Sequence, residues 1–403
     1  MLRSKISYSL NCILHATKIS TEMHFTSKNF LFSIILSFVF ISGYTQKNKP
    51  IDKKATRETK ALFKGLKKLS KNHTLFAHQH ATEYGHGWYG DGDRSDVKSV
   101  VGTHPAMTGI DFSGFSGRNR TRKEIEQNKE ILQKNVIDTY NRGGVTTIAW
   151  HFHNPVSGGA FYWRDSVSLP AVKYIIPGGE AHEEYKIILD DIADWAHSIK
   201  GEEGELVPVI FRPFHEFDGG WFWWGAPYCT VEEFKTLWKF TVSYLRDEKK
   251  VHNFLYAFSP DNKFETEAQF LERYPGDEWV DMVGMDNYGD MGRDGYNLER
   301  ASRKLKIVSD YAKKAGKLAA FTETGLESIP NTTWWTDILL KVIKKDKMQL
   351  AYVLVWRNDV RSPTHYYAPF PGHISVPDFK EFYNDPYTLF ENDLKKINIY
   401  KKR

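Results

Sequence analysis

Eight short apolar or β-branched runs alternate along this chain with longer amphipathic stretches. That alternation is typical of βα units around a parallel sheet, and eight such units close a barrel. We therefore predict an α/β fold, a single (β/α)8 TIM barrel over residues 47–403. The predicted strands are Leu75–His80, Ala106–Phe112, Val145–His151, Val207–Glu216, Phe254–Ser259, Met282–Tyr288, Leu318–Thr324 and Ala351–Trp356.

Helical periodicity fills the intervals between these runs. From Tyr185 to Ile199 apolar residues recur every three or four positions, and Asp190, Asp191 and Asp194 occupy the opposite, polar face. Because no linker, internal repeat or low-complexity tract divides the chain, one barrel is expected to hold all the runs. Further helices are predicted over Val231–Arg246, Leu298–Lys314 and Trp334–Lys345.

The N-terminal segment differs from the rest. Residues Phe30–Tyr44 are almost all apolar and Lys28 precedes them, as in the core of a signal peptide. We predict that residues 1–46 are a leader containing a signal peptide, with Met23 as an alternative start. The protein is then exported to the periplasm or the outside. A retained membrane anchor is the alternative, but the run is short for a membrane span.

Charge and composition narrow the partner classes. The formal net charge is +5, and residues 1–46 hold four basic residues and one acidic one, so the remainder is nearly neutral. With no basic block, neither nucleic acid nor an anionic membrane is expected as a partner; no protein partner is implied, and a monomer is expected. Cys12 falls in the leader, which leaves Cys229 as a single, structural thiol at a helix start.

Two predicted strands end in glutamate, at Glu216 in RPFHE and at Glu323 in FTETG. A carboxylate is costly to hold away from water, so two at strand ends need a reason. Cleavage of a glycosidic bond supplies one, because it uses one carboxyl as a proton donor and a second, ionised one as nucleophile or base. Each glutamate alone could be only a salt-bridge partner.

The neighbours of these glutamates favour a sugar site. Aromatic residues make up 15% of the chain, and Trp221, Trp223 and Trp224 crowd behind Glu216. Aromatic rings with polar edges suit the faces of sugars. Arg212 and His215 could bind sugar hydroxyls or the second carboxylate. Other strand-end groups of the same chemistry are Trp150, His151, His153, Asp286, Tyr288, Trp356, Arg357 and Asp359.

Metal and cofactor chemistry has weaker support. The pairs His78/His80 and His151/His153 have a spacing that zinc sites use. However, the chain has no thiolate set, HExxH, GxSxG, Walker loop or GxGxxG. We expect no metal and no cofactor.

The motifs AWHFHNP, RPFHEFDGGWFWWG, GMDNYG, FTETG and VWRND together resemble glycoside hydrolase family 26, the secreted β-mannanases. Most barrels of that clan have Asn before the acid/base glutamate, whereas this family has His, as His215 stands here. The resemblance implies a retaining endo-β-1,4-mannanase that cleaves mannan, galactomannan or glucomannan, with Glu216 as acid/base and Glu323 as nucleophile. It also implies that Arg357 contacts the second sugar on the non-reducing side. The implied substrate-binding residues are His151, His215, Trp221, Tyr288, Trp356, Arg357 and, in a variable loop, Trp163.

Two alternatives to mannan cleavage remain open. Some relatives use the same catalytic pair on mixed-linkage β-glucan or on xylan, so a lichenase or a xylanase is possible on this scaffold. A polysaccharide-binding protein on a degenerate barrel would keep the tryptophans and lose a carboxylate, yet both carboxylates are present. Release of reducing ends from each polysaccharide separates these readings.

Overall fold

Eight parallel strands close into a barrel in this computed structural model. The structure describes residues 48–116, 120–164 and 168–400, which belong to one compact unit. Each strand pairs with the next along the chain, and β8 pairs with β1 to close the ring. The strands are β1 Thr74–Gln79, β2 Met107–Asp111, β3 Val145–Ala149, β4 Val209–Arg212, β5 Phe254–Phe258, β6 Met282–Asp286, β7 Leu318–Thr324 and β8 Tyr352–Val355.

All eight predicted strands are confirmed, with small differences at their ends. The largest difference is in the fourth, which was predicted to run to Glu216 and ends at Arg212. Pro213 has no N–H to donate to the sheet, and Phe214 and Glu216 have φ values of 51° and 52° that no strand accommodates. The chain therefore leaves the sheet four residues before the glutamate.

Two short strand elements lie beside the barrel. Tyr84–Gly85 and Trp88–Tyr89 form an antiparallel hairpin in the loop after β1. A ninth parallel strand, Thr388–Leu389, pairs with the start of β1.

Helices follow most of the strands and cover the outside of the barrel. They are α1 Arg57–Leu69, α2 Asp96–Val101, α3 Arg122–Asn141, α4 Val172–Ile175, α5 His182–Ser198, α6 Val231–Ser243, α7 Glu267–Phe270, α8 Leu298–Ala315, α9 Lys341–Lys344, α10 Val376–Asn384 and α11 Glu391–Ile397. Short 3-10 turns lie at Phe112–Phe115, Ala226–Tyr228, Asp277–Trp279 and Lys345–Lys347. The π-helical segments Tyr244–Glu248 and Trp334–Leu340 continue α6 and precede α9.

Local sequence explains where helix α6 begins. Thr230 accepts a hydrogen bond from the Glu233 N–H, and the Glu233 carboxylate accepts one from the Thr230 N–H. This capping box satisfies two donors that the first turn would otherwise leave unpaired. Cys229 lies immediately before it as a free, buried thiol, and burial raises its pKa to about 11. The predicted structural position of this cysteine is confirmed.

One predicted helix face is wrong in detail. Asp191 of α5 was placed on the polar outer face, but it is buried between α5 and α3. Its carboxylate pairs with Lys129 at 2.7 Å and with Arg122 at 2.7 Å. The periodicity of one helix cannot show a partner on another helix, so the pattern alone assigned the aspartate to solvent.

The inside of the barrel is filled with apolar side chains that α1 covers from the N-terminal end. Leu62, Phe63 and Leu66 of α1 join a buried cluster with residues from every strand, such as Leu75 at the start of β1 and Leu318 at the start of β7. The opposite end, where the strands finish, is left to the loops that can build a site.

Among the residues that the structure describes, no helix has the length and apolar character needed to cross a membrane. The predicted leader, residues 1–46, lies outside the described ranges.

Candidate active site

The backbone that carries Glu216 departs abruptly from β4. Phe214 and Glu216 both adopt the left-handed conformation, which costs about 1–3 kcal/mol for a residue other than glycine. The conformation is held because Phe214 is fully buried and the Glu216 N–H donates to the Ser259 carbonyl at 3.0 Å. This turn fixes the Glu216 carboxyl at the mouth of the barrel.

Glu323 lies near the end of β7 and is almost completely buried. The pairing of β7 with β6 and with β8 is irregular in register beside it. A guanidinium nitrogen of Arg212 donates a short hydrogen bond to one of its oxygens, and the Tyr288 hydroxyl donates to the other at 2.9 Å. Both oxygens of Glu323 are therefore held by donors, one of them a cation.

Arg212 connects Glu323 to a second buried carboxylate. Its other terminal nitrogen donates to Asp286 at 2.8 Å and to the Ser259 hydroxyl at 3.1 Å. Asp286 also accepts from the Thr322 hydroxyl at 2.6 Å. Burial works to lower the pKa of Arg212, but the charges of Asp286 and Glu323 outweigh it and raise that pKa. Of the two roles that the sequence left open for Arg212, sugar hydroxyls or the second carboxylate, the structure shows contact with the carboxylate.

The two glutamates lie close together in different surroundings. Carboxylate oxygens of Glu216, Asp286 and Glu323 lie within 4.8 Å of one another. The Trp221 indole N–H donates to Glu216 at 2.5 Å, whereas Glu323 is paired with the guanidinium of Arg212. Burial and the nearby charges of Asp286, Glu323 and Asp261 raise the pKa of Glu216 well above its ordinary value, and the indole bond opposes this in part. Glu216 is thus the carboxyl better suited to carry a proton.

The three carboxylates Glu216, Asp286 and Glu323 are also the group of described residues with atoms close enough to share a metal ion. However, Arg212 already places a positive charge between Asp286 and Glu323. A metal cation there would be repelled by the guanidinium, so the arrangement favours proton chemistry.

Two histidines and a tryptophan form one wall of the site. His151 is oriented by Asp111, which accepts from its backbone N–H at 3.2 Å and pairs with its Nδ1. The His151 ring centroid lies 4.6 Å from that of His215 and 5.6 Å from that of Trp356. Burial, then the charge of Arg212 and that of His151, lowers the pKa of His215 well below its ordinary value. A neutral His215 can donate or accept a hydrogen bond.

The three tryptophans after Glu216 have two different roles. Trp223 and Trp224 are fully buried, and their indole N–H groups donate to backbone carbonyls at 2.6 and 2.8 Å. Trp221 is partly exposed and reaches the carboxyl of Glu216. Gly219 is needed beneath it, since a Cβ at that position would lie 2.5 Å from the Trp221 ring.

Arg357 lies farther along the mouth, after β8. Its guanidinium donates to the Tyr84 hydroxyl at 3.3 Å and pairs with Asp359 at 3.1 Å. The structure therefore ties this predicted sugar-binding residue to the hairpin after β1.

Trp163 contacts Trp221 through its backbone, whereas its ring packs on Tyr228. Its N–H donates to the Trp221 carbonyl at 2.6 Å, and its ring stacks on Tyr228 with centroids 3.6 Å apart. The preceding Tyr162, which we did not predict, is 46% exposed and bridges to Phe222. Burial and the charges of the two glutamates raise the pKa of Tyr162, which places its hydroxyl within their field. The only signal for Tyr162 in the sequence was its position beside Trp163 in a loop rich in aromatic residues.

Asp111 is a second site residue that sequence reasoning missed. It stands at the end of β2 and orients His151. A strand-end carboxylate one strand before the predicted histidine was the available signal.

Eight parallel strands around two neighbouring carboxylates, one in the turn after β4 and one near the end of β7, define a glycoside hydrolase of the barrel class. The family is shown by comparison with known sequences. The chain belongs to glycosyl hydrolase family 26, whose sequence model matches residues 51–393. This confirms the resemblance drawn from the motifs.

Relatives with described activities support the same family. A mannan endo-1,4-beta-mannosidase of Bifidobacterium adolescentis is 33% identical over 351 residues, which are 82% of this chain and 34% of that protein. The chain thus spans about a third of that relative. A mannan endo-1,4-beta-mannosidase of Bacillus subtilis is 25% identical over 284 residues, 68% of this chain and 72% of that one.

Solved structures confirm the barrel. GH26C from Muricauda is 39% identical with a TM-score of 0.81 and covers 87% of this chain and 96% of its own. A GH26 beta-mannanase from Bacteroides ovatus is 40% identical with a TM-score of 0.78, covering 86% and 98%. The roles assigned to individual site residues stay predictions.

Proposed function

We propose that this chain is a retaining endo-β-1,4-mannanase that hydrolyses mannan, galactomannan or glucomannan to manno-oligosaccharides. The observation that carries the proposal is the pair Glu216 and Glu323, with carboxylate oxygens within 4.8 Å of each other and unlike hydrogen-bond partners. Retaining glycosidases hold their carboxyls about 5–5.5 Å apart, whereas inverting ones need about 6.5–9.5 Å to admit a water. The β-mannanase names of relatives support the choice of mannan.

In the first step, protonated Glu216 donates its proton to the departing glycosidic oxygen. Glu323 attacks the anomeric carbon and forms a covalent glycosyl-enzyme. Arg212 and the Tyr288 hydroxyl hold the attacking carboxylate in one orientation.

In the second step, Glu216 is the carboxylate left after proton transfer and takes a proton from water. That water attacks the anomeric carbon and releases Glu323. His151 and neutral His215 are positioned to bond hydroxyls of the sugar at the reacting centre, and Trp356 supplies an aromatic face beside them.

The test is a reducing-sugar assay on mannan, glucomannan, lichenan and xylan with wild type, Glu216→Ala and Glu323→Ala. We expect wild type to cleave the mannans, and each variant to lose at least about 10²–10⁴-fold in kcat. Wild-type-like turnover in either variant would overturn the mechanism. Cleavage of lichenan or xylan instead of mannan would retain the carboxylate pair and replace the substrate.

The stereochemical outcome is a separate test of the short carboxylate spacing. Proton NMR of the first products of mannohexaose hydrolysis should show the β-anomer before mutarotation. Initial release of the α-anomer would mean inversion.

We also propose that the protein is exported, on the strength of the apolar run Phe30–Tyr44. N-terminal sequencing of protein recovered outside the cytoplasm should begin near residue 47. Recovery of the chain with residues 30–44 intact in a membrane fraction would favour an anchor.

A further inference from the structure

The hairpin after β1 borders the mouth of the barrel next to Arg357. Strands β1 and β8 are neighbours in the sheet, so the loops that follow them lie side by side. The hairpin strands Tyr84–Gly85 and Trp88–Tyr89 are in the first of these loops, and Arg357 is in the second. The Tyr84 hydroxyl accepts a hydrogen bond from Arg357 at 3.3 Å. The hairpin therefore forms the rim of the mouth beside Arg357.

Buried bonds hold the hairpin in a fixed place. The Asp96 carboxylate accepts hydrogen bonds of 2.7 Å from the His86 N–H, from the Trp88 indole and from the Asn358 amide. Asn358 directly follows Arg357, so Asp96 joins the two loops. The His86 ring also stacks on Phe370, with centroids 3.7 Å apart. Such anchoring means that a ligand need not order the hairpin in order to bind it.

One aromatic ring of the hairpin is not packed away. Trp88 is buried, yet Tyr89 is 69% exposed. The Tyr89 ring is nearly parallel to that of Tyr84, at an interplanar angle of 6° with centroids 6.4 Å apart. Tyr84 thus contacts Arg357 through its hydroxyl and lies beside Tyr89 through its ring. An exposed, preorganised tyrosine offers apolar area with little loss of conformational entropy, as a sugar face requires.

We propose that Tyr89 is the stacking platform of a distal subsite, which takes a β-1,4-linked pyranose unit beyond the one at Arg357. The charged groups beside Arg357 are suited to sugar hydroxyls: Asp359 pairs with Arg357 and with Arg361, and the Arg361 side chain is 76% exposed. The inference rests on the proposed polysaccharide cleavage and adds to it a subsite that only longer substrates reach.

The test compares Tyr89→Ala with the matched control Tyr89→Phe, which keeps the ring. For Tyr89→Ala we expect kcat/KM on mannohexaose to fall on the order of two- to tenfold, with kcat/KM on mannotriose unchanged. Tyr89→Phe should match wild type on both substrates. Because Tyr89 is exposed, neither change is expected to alter folding, and thermal unfolding checks this.

A binding experiment separates the subsite from the choice of polysaccharide. Calorimetry with mannohexaose, cellohexaose and xylohexaose is run on Glu323→Ala and on Glu323→Ala combined with Tyr89→Ala. If cellohexaose or xylohexaose binds in place of mannohexaose and loses affinity with Tyr89→Ala, the mannan assignment fails and the subsite stands. Equal affinities with and without Tyr89, an equal loss on mannotriose, or a gain in kcat/KM on mannohexaose would overturn the subsite.

Discussion

At the scale of single residues, the site separates two identical carboxyl groups by what each one touches. Glu323 is bonded to a guanidinium and a phenol, whereas Glu216 is bonded to an indole N–H and faces other carboxylates. Desolvation together with like charge favours the protonated form of Glu216. The proposed division of labour between acid and nucleophile thus follows from the Arg212 cation and the Tyr288 hydroxyl at Glu323, and from the burial and like charges at Glu216.

The indole bond to Glu216 predicts a pH effect. Trp221 lowers the pKa of Glu216, so Trp221→Phe should raise that pKa further. Because Glu216 must be protonated to act as the acid, the alkaline limb of the kcat/KM profile should move to higher pH. Hydrolysis of a soluble manno-oligosaccharide between pH 4 and 10 measures the limb. An unmoved limb, with only a lower maximum, would mean that Trp221 serves substrate binding alone.

The raised pKa of Glu216 also predicts a stability effect. The folded protein holds the Glu216 proton more tightly than the unfolded chain, so this group's contribution is fully present below the unfolded pKa and is lost as pH rises through the folded pKa. Glu216→Gln has no such loss and should be more stable than wild type at neutral pH. Melting temperatures measured from pH 4 to pH 8 should diverge as pH rises. Parallel curves would contradict this prediction.

The residues that sequence could and could not identify differ in a physical way. Glu216, Glu323, Arg212 and His151 were found because a strand-end polar group has few reasons to be there. Asp111 was missed because it acts on another side chain and not on a sugar. The resemblance singled out Trp221 from the three tryptophans, and the structure buries the other two, Trp223 and Trp224.

At the scale of elements, the barrel strands were predictable because each strand is buried and therefore appears in the sequence as a short apolar or β-branched run. Their ends were less so, as β4 shows, since Pro213 and the left-handed turn interrupt the apolar run early. Contacts between helices were not predictable from either helix. The buried pair between Lys129 of α3 and Asp191 of α5 is the clearest example.

That pair predicts a helix-scale stability change. Asp191→Ala would leave Lys129 buried with only the half-exposed Glu126 at 3.1 Å, so we expect unfolding free energy to fall by about 3 kcal/mol. The control is Asp190→Ala, which removes a more exposed carboxylate that pairs with Lys249, at a cost of about 1 kcal/mol or less. Denaturant unfolding of both variants makes the comparison, and equal losses would contradict the buried-pair argument.

At the scale of the whole molecule, one end of the barrel serves structure and the other serves chemistry. Helix α1 covers the N-terminal end, and the loops after β1, β3, β4 and β8 surround the carboxylates at the other end. Eight alternating units predicted this architecture without reference to any homologue. The number of units does not determine the length or the path of the loops. For this reason the positions of Tyr162 and of the hairpin after β1 could not be predicted from the sequence.

The reactivity of the buried Cys229 thiol is a chemical probe of whether the fold around it is intact. Its thiol is buried and its pKa is raised to about 11, so in a Cys12→Ser chain at neutral pH it should react with a thiol reagent only when the surrounding structure opens. The reaction rate should rise with denaturant in step with the loss of tyrosine and tryptophan circular dichroism. Fast reaction under native conditions would show local opening around the start of α6.

The pairing of β1 with β8 also determines when, during synthesis of the chain, the barrel can close. Leu75 finds its partner Tyr352 only after 277 further residues have been made, and loop closure over such a span is slow. Until then one edge of β1 lacks its partner strand, so the barrel of the nascent chain stays open through most of its synthesis. A ribosome stalled before residue 352 should therefore carry a protease-sensitive, inactive intermediate.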